Sequence, residues 1–170
     1  MKLVLPSVKY QKSYLEALEE AKGETGVTVL VKPEANQTFG QFVKNKIEQA
    51  KGLNLPEGWV PATELWLIDK DEFIGRVSIR HRLTENLLKL GGHIGYYIRP
   101  SKRKMGYGKI ILKLALKETK NLGISKALVT CDDTNVGSCK IIEANGGILE
   151  NMVGNGQDNP LKRRYWIKIG

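Results

Sequence analysis

Two short apolar runs, Ile94-Gly95-Tyr96-Tyr97-Ile98 and Ala127-Leu128-Val129-Thr130-Cys131, flank a stretch of helical periodicity. Both runs are rich in β-branched or aromatic residues and read as buried strands. Arg99-Pro100 closes the first, because proline has no N–H to give to a ladder. Between them, Lys109 to Leu122 puts Ile111, Leu114 and Ala115 on one side and Lys109, Lys113 and Lys117 on another. Gly123 is a natural helix terminator. A strand–helix–strand unit of this length is a crossover, and a crossover joins parallel strands.

The turn that opens this helix is Arg103-Lys104-Met105-Gly106-Tyr107-Gly108. Its basic side chains, with Lys109, gather at a helix N-terminus, where the macrodipole is already positive and cations are disfavoured. No structural partner for these charges is evident from the sequence. A bound anion resolves the conflict, and Gly106 and Gly108 would let backbone N–H groups approach it closely. Two familiar phosphate loops do not fit. A P-loop needs Ser or Thr after Gly-Lys, and Ile110 stands there; a dinucleotide fingerprint needs a third glycine where Ile111 stands.

After the second strand, Asp132-Asp133-Thr134-Asn135 supplies turn and N-cap residues. A helix over about Val136 to Ala144 follows and stops at Asn145-Gly146-Gly147. The pattern R-x-x-G-x-G within this order of elements resembles the acyl-CoA pyrophosphate loop of the GNAT (Gcn5-related N-acetyltransferase) superfamily. The resemblance spans Trp66 to Ile169 and is strongest from Gly91 to Leu149. It implies an α+β fold: a mixed central sheet of about seven strands, flanked by about four helices, with splayed parallel central strands. It also implies acetyl-CoA as co-substrate, without a metal. Arg103, Lys104, Met105, Gly106, Tyr107, Gly108 and Lys109 would hold its pyrophosphate. Asn135 would bond its pantetheine arm, and a backbone N–H near Tyr97 or Ile98 would polarise the thioester.

The rest of the chain fits one domain over residues 1–170, with an acetyl-CoA-binding core at about 91–150 and helices within about 8–52 on the acceptor side. Val8 to Ala21 is amphipathic, with Ser7 as N-cap, and a polar connection leads to a second helix over Phe39 to Ala50. Leu3 to Leu5 is a candidate edge strand. Thr63 to Ile68 and Glu72 to His81 make a hairpin around Asp69-Lys70-Asp71, and Ile148 to Val153 pairs with Arg164 to Ile169.

Charge is the one unusual feature of composition: 27 Lys and Arg against 18 Asp and Glu give +9. Nucleic acid is therefore an alternative partner, but the cations are dispersed and no stacking array or known nucleic-acid motif accompanies them. No apolar run approaches the ~18 residues of a membrane span. The first residues lack the apolar core of a signal peptide, so a cytoplasmic location is expected. Cys131 and Cys139 read as packing residues, not as a disulfide framework.

The chemistry is less legible. Acetylation of an amine needs a neutral nucleophile, a polarised carbonyl and a proton for the leaving thiolate. Where family members carry a tyrosine on the helix after the Asn, this chain has Ile142; where many carry a glutamate before the pyrophosphate turn, it has Gly91-Gly92-His93. His93 is the substitute base, since an imidazole titrates near neutrality. Tyr97 or Tyr96 is a candidate proton donor, and Trp59, His81 and Tyr96 are candidates to line the acceptor pocket. The expected function is transfer of an acetyl group to a primary amine, on a small molecule or on a protein or peptide, by direct attack. A CoA-binding regulatory module without turnover is the alternative, and a second copy of the chain is a candidate partner.

Overall fold

A computed structural model of the protein describes residues 1–25 and 29–170. The polar connection expected after the first helix includes residues 26–28, which lie outside the described residues. Seven strands and four helices run in the order β1 (Lys2–Val4), α1 (Gln11–Glu20), α2 (Phe39–Ala50), β2 (Ala62–Asp69), β3 (Glu72–Arg80), β4 (Ile94–Ile98), α3 (Tyr107–Asn121), β5 (Lys126–Asp132), α4 (Val136–Glu143), β6 (Ile148–Val153) and β7 (Lys162–Lys168). Among the described residues no helix is long and apolar enough to cross a membrane.

The expected single mixed sheet is instead two antiparallel sheets, ordered β1-β2-β3-β4 and β5-β7-β6. Their facing edges, β4 and β5, meet at one end only. There His93 N donates to Leu128 O at 2.7 Å, and Leu128 N donates to His93 Nδ1 at 3.0 Å. A larger residue would not fit beside this junction: a Cβ on Gly92 would stand 2.6 Å from Leu128 O, at a φ of +65°. The hairpin expected around Asp69-Lys70-Asp71 turns on Lys70 and Asp71, both at positive φ, which matches the twist of the two strands. Sequence patterning did not mark the π-helical turn at Leu87–Gly91, which leads into the junction.

Two cores hold the sheets. Helices α3 and α4 cover one face with Ile111, Leu112, Ala115 and Ile142 against Val77, Ile79, Ile94, Val129 and Tyr165. On the other face, α1 and α2 close over an aromatic cluster in which Tyr14 stacks on Trp66 at 4.7 Å, with Phe39, Phe42 and Phe73 around them. Thr38 opens α2 with a reciprocal cap, accepting from Gln41 N while the Gln41 side chain accepts from Thr38 N. Cys131 and Cys139 are free and buried, with sulfurs 3.5 Å apart.

The end of β4 is fastened to α1 through Arg99. Its guanidinium is buried and meets Glu20, Glu72, Ser13 Oγ and the Phe73 carbonyl. These hydrogen bonds hold the Glu20 carboxyl at about 2, below its ordinary 4.5. A depressed carboxyl stabilises the native state above its unfolded value, and the benefit disappears as pH falls from 4.5 towards 2. Arg99→Ala is expected to cost about 3 kcal/mol at pH 7 by denaturant titration, the low end for breaking a buried pair. The stability difference between wild type and Glu20→Gln should shrink across that acidic window; a difference independent of pH would refute the assignment.

Candidate active site

The gap between β4 and β5 opens, away from the His93 junction, into a cavity of about 870 Å³. Its wall combines Tyr96, Tyr97 and Ile98 of β4 with the turn after β4 and the start of α4. Arg99 N donates to Ile74 O, and Arg103 Nε donates to Ile98 O. Backbone direction alternates along a strand, so Tyr97 faces β3 while Tyr96 and Ile98 present their N–H and C=O groups to the gap. Of the two residues expected near the thioester, Ile98 is the one whose N–H faces the gap, while its carbonyl is held by Arg103.

The pyrophosphate turn has the shape its glycines suggested. Gly106 is the N-cap of α3 at φ +86°, and no side chain caps that terminus. Lys109 N donates back to Gly106 O, but the Tyr107 and Gly108 N–H groups ahead of it have no intrahelical acceptor and remain available to a ligand. At Gly108 a Cβ would stand 2.4 Å from Ile141 Cδ1, so Ile141 of α4 packs closely into the space that the missing side chain leaves. Arg103, Lys104, Gly106, Gly108 and Lys109 line the cavity with Asn135. Met105 is 61% exposed, and Tyr107 turns its hydroxyl to Asp69 at 3.0 Å; neither side chain lines it. Asn135 caps α4, its Oδ1 accepting from Ser138 N at 3.0 Å.

One electrostatic expectation is corrected. Arg103 has a structural partner: its two terminal nitrogens hold Glu24 at 2.6 and 2.8 Å, and its guanidinium lies over the Tyr97 ring. Glu24 follows α1 and had no sequence signal. Its carboxyl is held below the usual range by Arg103. Lys104, Lys109 and Lys140, by contrast, lie within 4 Å of no carboxylate among the described residues, and all three line the cavity. Lys140, Ser138 and Ile141 were missed by sequence reasoning, although their spacing from Asn135 puts them on the first turns of α4.

The candidate catalytic residues are placed as follows. His93 Nδ1 accepts from Leu128 N, so its neutral ring carries hydrogen on Nε2. Burial and the nearby Arg80 charge lower its pKa. A neutral ring of this tautomer donates from Nε2 and has no free lone pair with which to take a proton. Tyr97 OH donates to Glu24 at 2.7 Å, and burial raises its pKa. Tyr96 packs towards α4, and its buried hydroxyl lies beside Ser138, Cys131 and Cys139. His81 shares a 2.8 Å hydrogen bond with Thr63, and Trp59 is 63% exposed in its loop; neither lines the cavity. Among the described residues no group of three or more His, Cys, Asp or Glu side chains is placed to hold a metal ion.

A family model described as the acetyltransferase (GNAT) domain matches residues 13–148, most of the chain. The chain belongs to the GNAT acetyltransferase family. Solved structures agree in fold. An acetyl transferase from Salmonella typhimurium that modifies the N-terminal serine of the 50S ribosomal subunit protein L7/L12 superposes with a TM-score of 0.69 at 17% identity, covering 99% of this chain and 94% of that one. The microcin C7 self-immunity acetyltransferase MccE, in complex with acetyl-CoA and AMP, gives 0.65 at 17% over 98% and 91%. A spermidine N-acetyltransferase from Vibrio cholerae gives 0.66 at 12% over 99% and 95%. Identities this low speak for the fold alone. No curated protein sequence matches this chain. Within the acetyltransferase domain, the β4–α3 turn and the start of α4 face each other across the cavity, with the sheet gap between them.

Proposed function

We propose that the protein transfers an acetyl group from acetyl-CoA to a primary amine by direct attack on the thioester. The observation that carries this is the convergence, in one cavity, of an uncapped helix N-terminus at Gly106, three lysines without carboxylate partners and the unpaired edge of β4. A pyrophosphate matches the first two features. A peptide-like pantetheine arm matches the third, since it bonds to an open strand edge as an extra strand would. In this reading β4 and β5 are the parallel central strands, splayed from the His93 junction, and the arm enters between them.

Each residue then has a task. Gly106, Gly108, Lys104 and Lys109 hold the phosphates, and Arg103 does so once Glu24 releases it. Asn135 fixes the start of α4 against the arm. Ile98 N–H points to the thioester oxygen and stabilises the negative charge that grows there. The leaving thiolate takes a proton from Tyr96, whose buried hydroxyl stays protonated beside Ser138. An alkyl amine of pKa ~10 is about one part in a thousand neutral at pH 7, so the acceptor loses its proton before attack. His93 orients the junction and is not the base in this reading. The N-terminal helices form the acceptor side.

Titration with acetyl-CoA, followed by thiol release across an amine panel, tests the proposal. At a hundred times its Kd the co-substrate adds ~2.7 kcal/mol and raises Tm by roughly 5–10 °C. Tyr96→Phe should lower kcat by about a hundredfold and leave that thermal shift in place. No shift in wild type would remove the cofactor assignment. A shift without acceptor-dependent thiol release would make the protein a CoA-binding module instead.

A further inference from the structure

The sheet face beneath α1 and α2 carries a polar strip that the acetyl-CoA site does not use. Ile74 is the extra residue of a bulge between β2 and β3, and from Gly75 onward the two faces alternate cleanly. Arg76, Ser78 and Arg80 therefore share the face of Trp66 and Glu64, opposite the side of Val77 and Ile79. Ser78 and Gly95 face each other across β3 and β4 and are only half-buried, so the floor between the two arginines is low and reachable.

The charges on this strip do not balance. Glu64 is buried and holds Arg76 at 3.4 Å and Lys46 at 3.6 Å, and these two cations outweigh its burial and keep it ionised. Arg80 is then left over. Its Nη1 donates to the carbonyls of Gly91 and Gly92 at 3.1 and 2.9 Å, while its Nε and Nη2 meet no acceptor among the described residues. No carboxylate among them lies within 4 Å of it. A half-buried guanidinium with a second arginine near it and no counter-ion is costly, and burial and Arg76 both weaken its hold on the proton.

A second donor points the same way. Trp166 lies on the face of β7 opposite the buried Tyr165, its ring centroid 6.4 Å from that of His93. Its indole N–H is buried without a hydrogen-bond partner. His93 contributes only an Nε2–H in its neutral form. The Arg80 charge acts on the His93 ring, and Trp166 lies beside the same ring, so His93 links the two donors at the closed end of the β4–β5 gap. Donors outnumber acceptors at this end of the slot, which is the chemistry of an anion site.

We infer that the acceptor is a small primary amine bearing a carboxylate or a phosphate, whose anionic group is held by Arg80 and the indole N–H of Trp166 at the closed end of the gap. The inference rests on the acetyl-transfer reading above. The amine then lies further along β4, towards the open edge at Tyr96 and Ile98. A polycationic acceptor is disfavoured by the same charges.

Matched amines that differ only in the anion provide the test. Binding of 4-aminobutyrate, butylamine and 1,4-diaminobutane to the CoA-saturated protein is measured by calorimetry. O-phosphoethanolamine against ethanolamine separates phosphate from carboxylate. The anionic member of at least one pair should bind tenfold or more tightly than its neutral counterpart, with the diamine weakest. Arg80→Gln should bring that ratio close to one, and Trp166→Phe, which removes only the N–H, should reduce it about threefold. Acetyl transfer rates on the same pairs should follow the same order. Equal or stronger binding of the neutral amine or the diamine would overturn the inference. An intact preference in Trp166→Phe and Arg80→Gln would do the same. Failure of the protein to bind CoA at all would instead defeat the reading on which it stands.

Discussion

Gly106→Glu should weaken acetyl-CoA binding by at least about a hundredfold in a calorimetric titration while leaving the protein folded. The added Cβ meets nothing within 4 Å, so the side chain has room. The φ of +86° makes a non-glycine residue there cost about 1 kcal/mol. A carboxylate at a helix N-terminus recovers part of that through the macrodipole. It also fills the cradle with the charge that the phosphates would bring, and like charges in one site repel strongly. Gly106→Ala, with the strain but not the charge, should lose about tenfold at most. Unchanged affinity in the glutamate variant would mean that the phosphates lie elsewhere.

Gly75→Ala is the corresponding test of the scaffold and should be strongly destabilising. A Cβ there would stand 2.1 Å from the Tyr97 carbonyl oxygen and 3.0 Å from Ile98 Cδ1. Backbone atoms of a neighbouring strand cannot rotate away as a side chain can, so β3 and β4 must separate. The expected cost is about 3 kcal/mol, or a Tm lower by roughly 6–12 °C. Acetyl-CoA affinity should fall with it, because the displaced strand carries Tyr96 and Ile98. Gly154→Ala is the control: nothing lies within 4 Å of its Cβ, and a change within about 0.5 kcal/mol is expected. Equal stability of the two variants would show that β3 and β4 are not packed as described.

What could be read from the chain is what local chemistry records. The Phe39 to Ala50 helix and the Ile148 to Val153 strand emerge with the boundaries their patterns implied, because apolar period and capping residues act over a few positions. The glycine turn before α3 and the Asn135 cap were visible for the same reason, although α3 begins two residues earlier than its pattern implied. Contacts over long sequence separations were not. Glu24 reaches Arg103 across 79 residues, and nothing near Glu24 announces it. His93 looked like a base because imidazole titrates near pH 7; its Nδ1 is committed to Leu128, 35 residues away. The split into two sheets was hidden too, since strand patterning reports burial and not which edge remains unpaired. Arg80 is an ordinary strand-end residue in sequence, and only the lack of a carboxylate near it among the described residues sets it apart.

An unpaired strand edge on a protein's outer surface invites other chains to add to it, and natural sheets spend charges, prolines and bulges to prevent that. Here the edges of β4 and β5 face each other beneath α3 and α4, where no foreign strand of ordinary width can approach them in register. The His93–Leu128 pair joins the two edges at one end, and α3 and α4 cover the sheet face beside them. In the proposed reading the same arrangement offers a hydrogen-bonding edge to a narrow guest while the helices shield it from other chains.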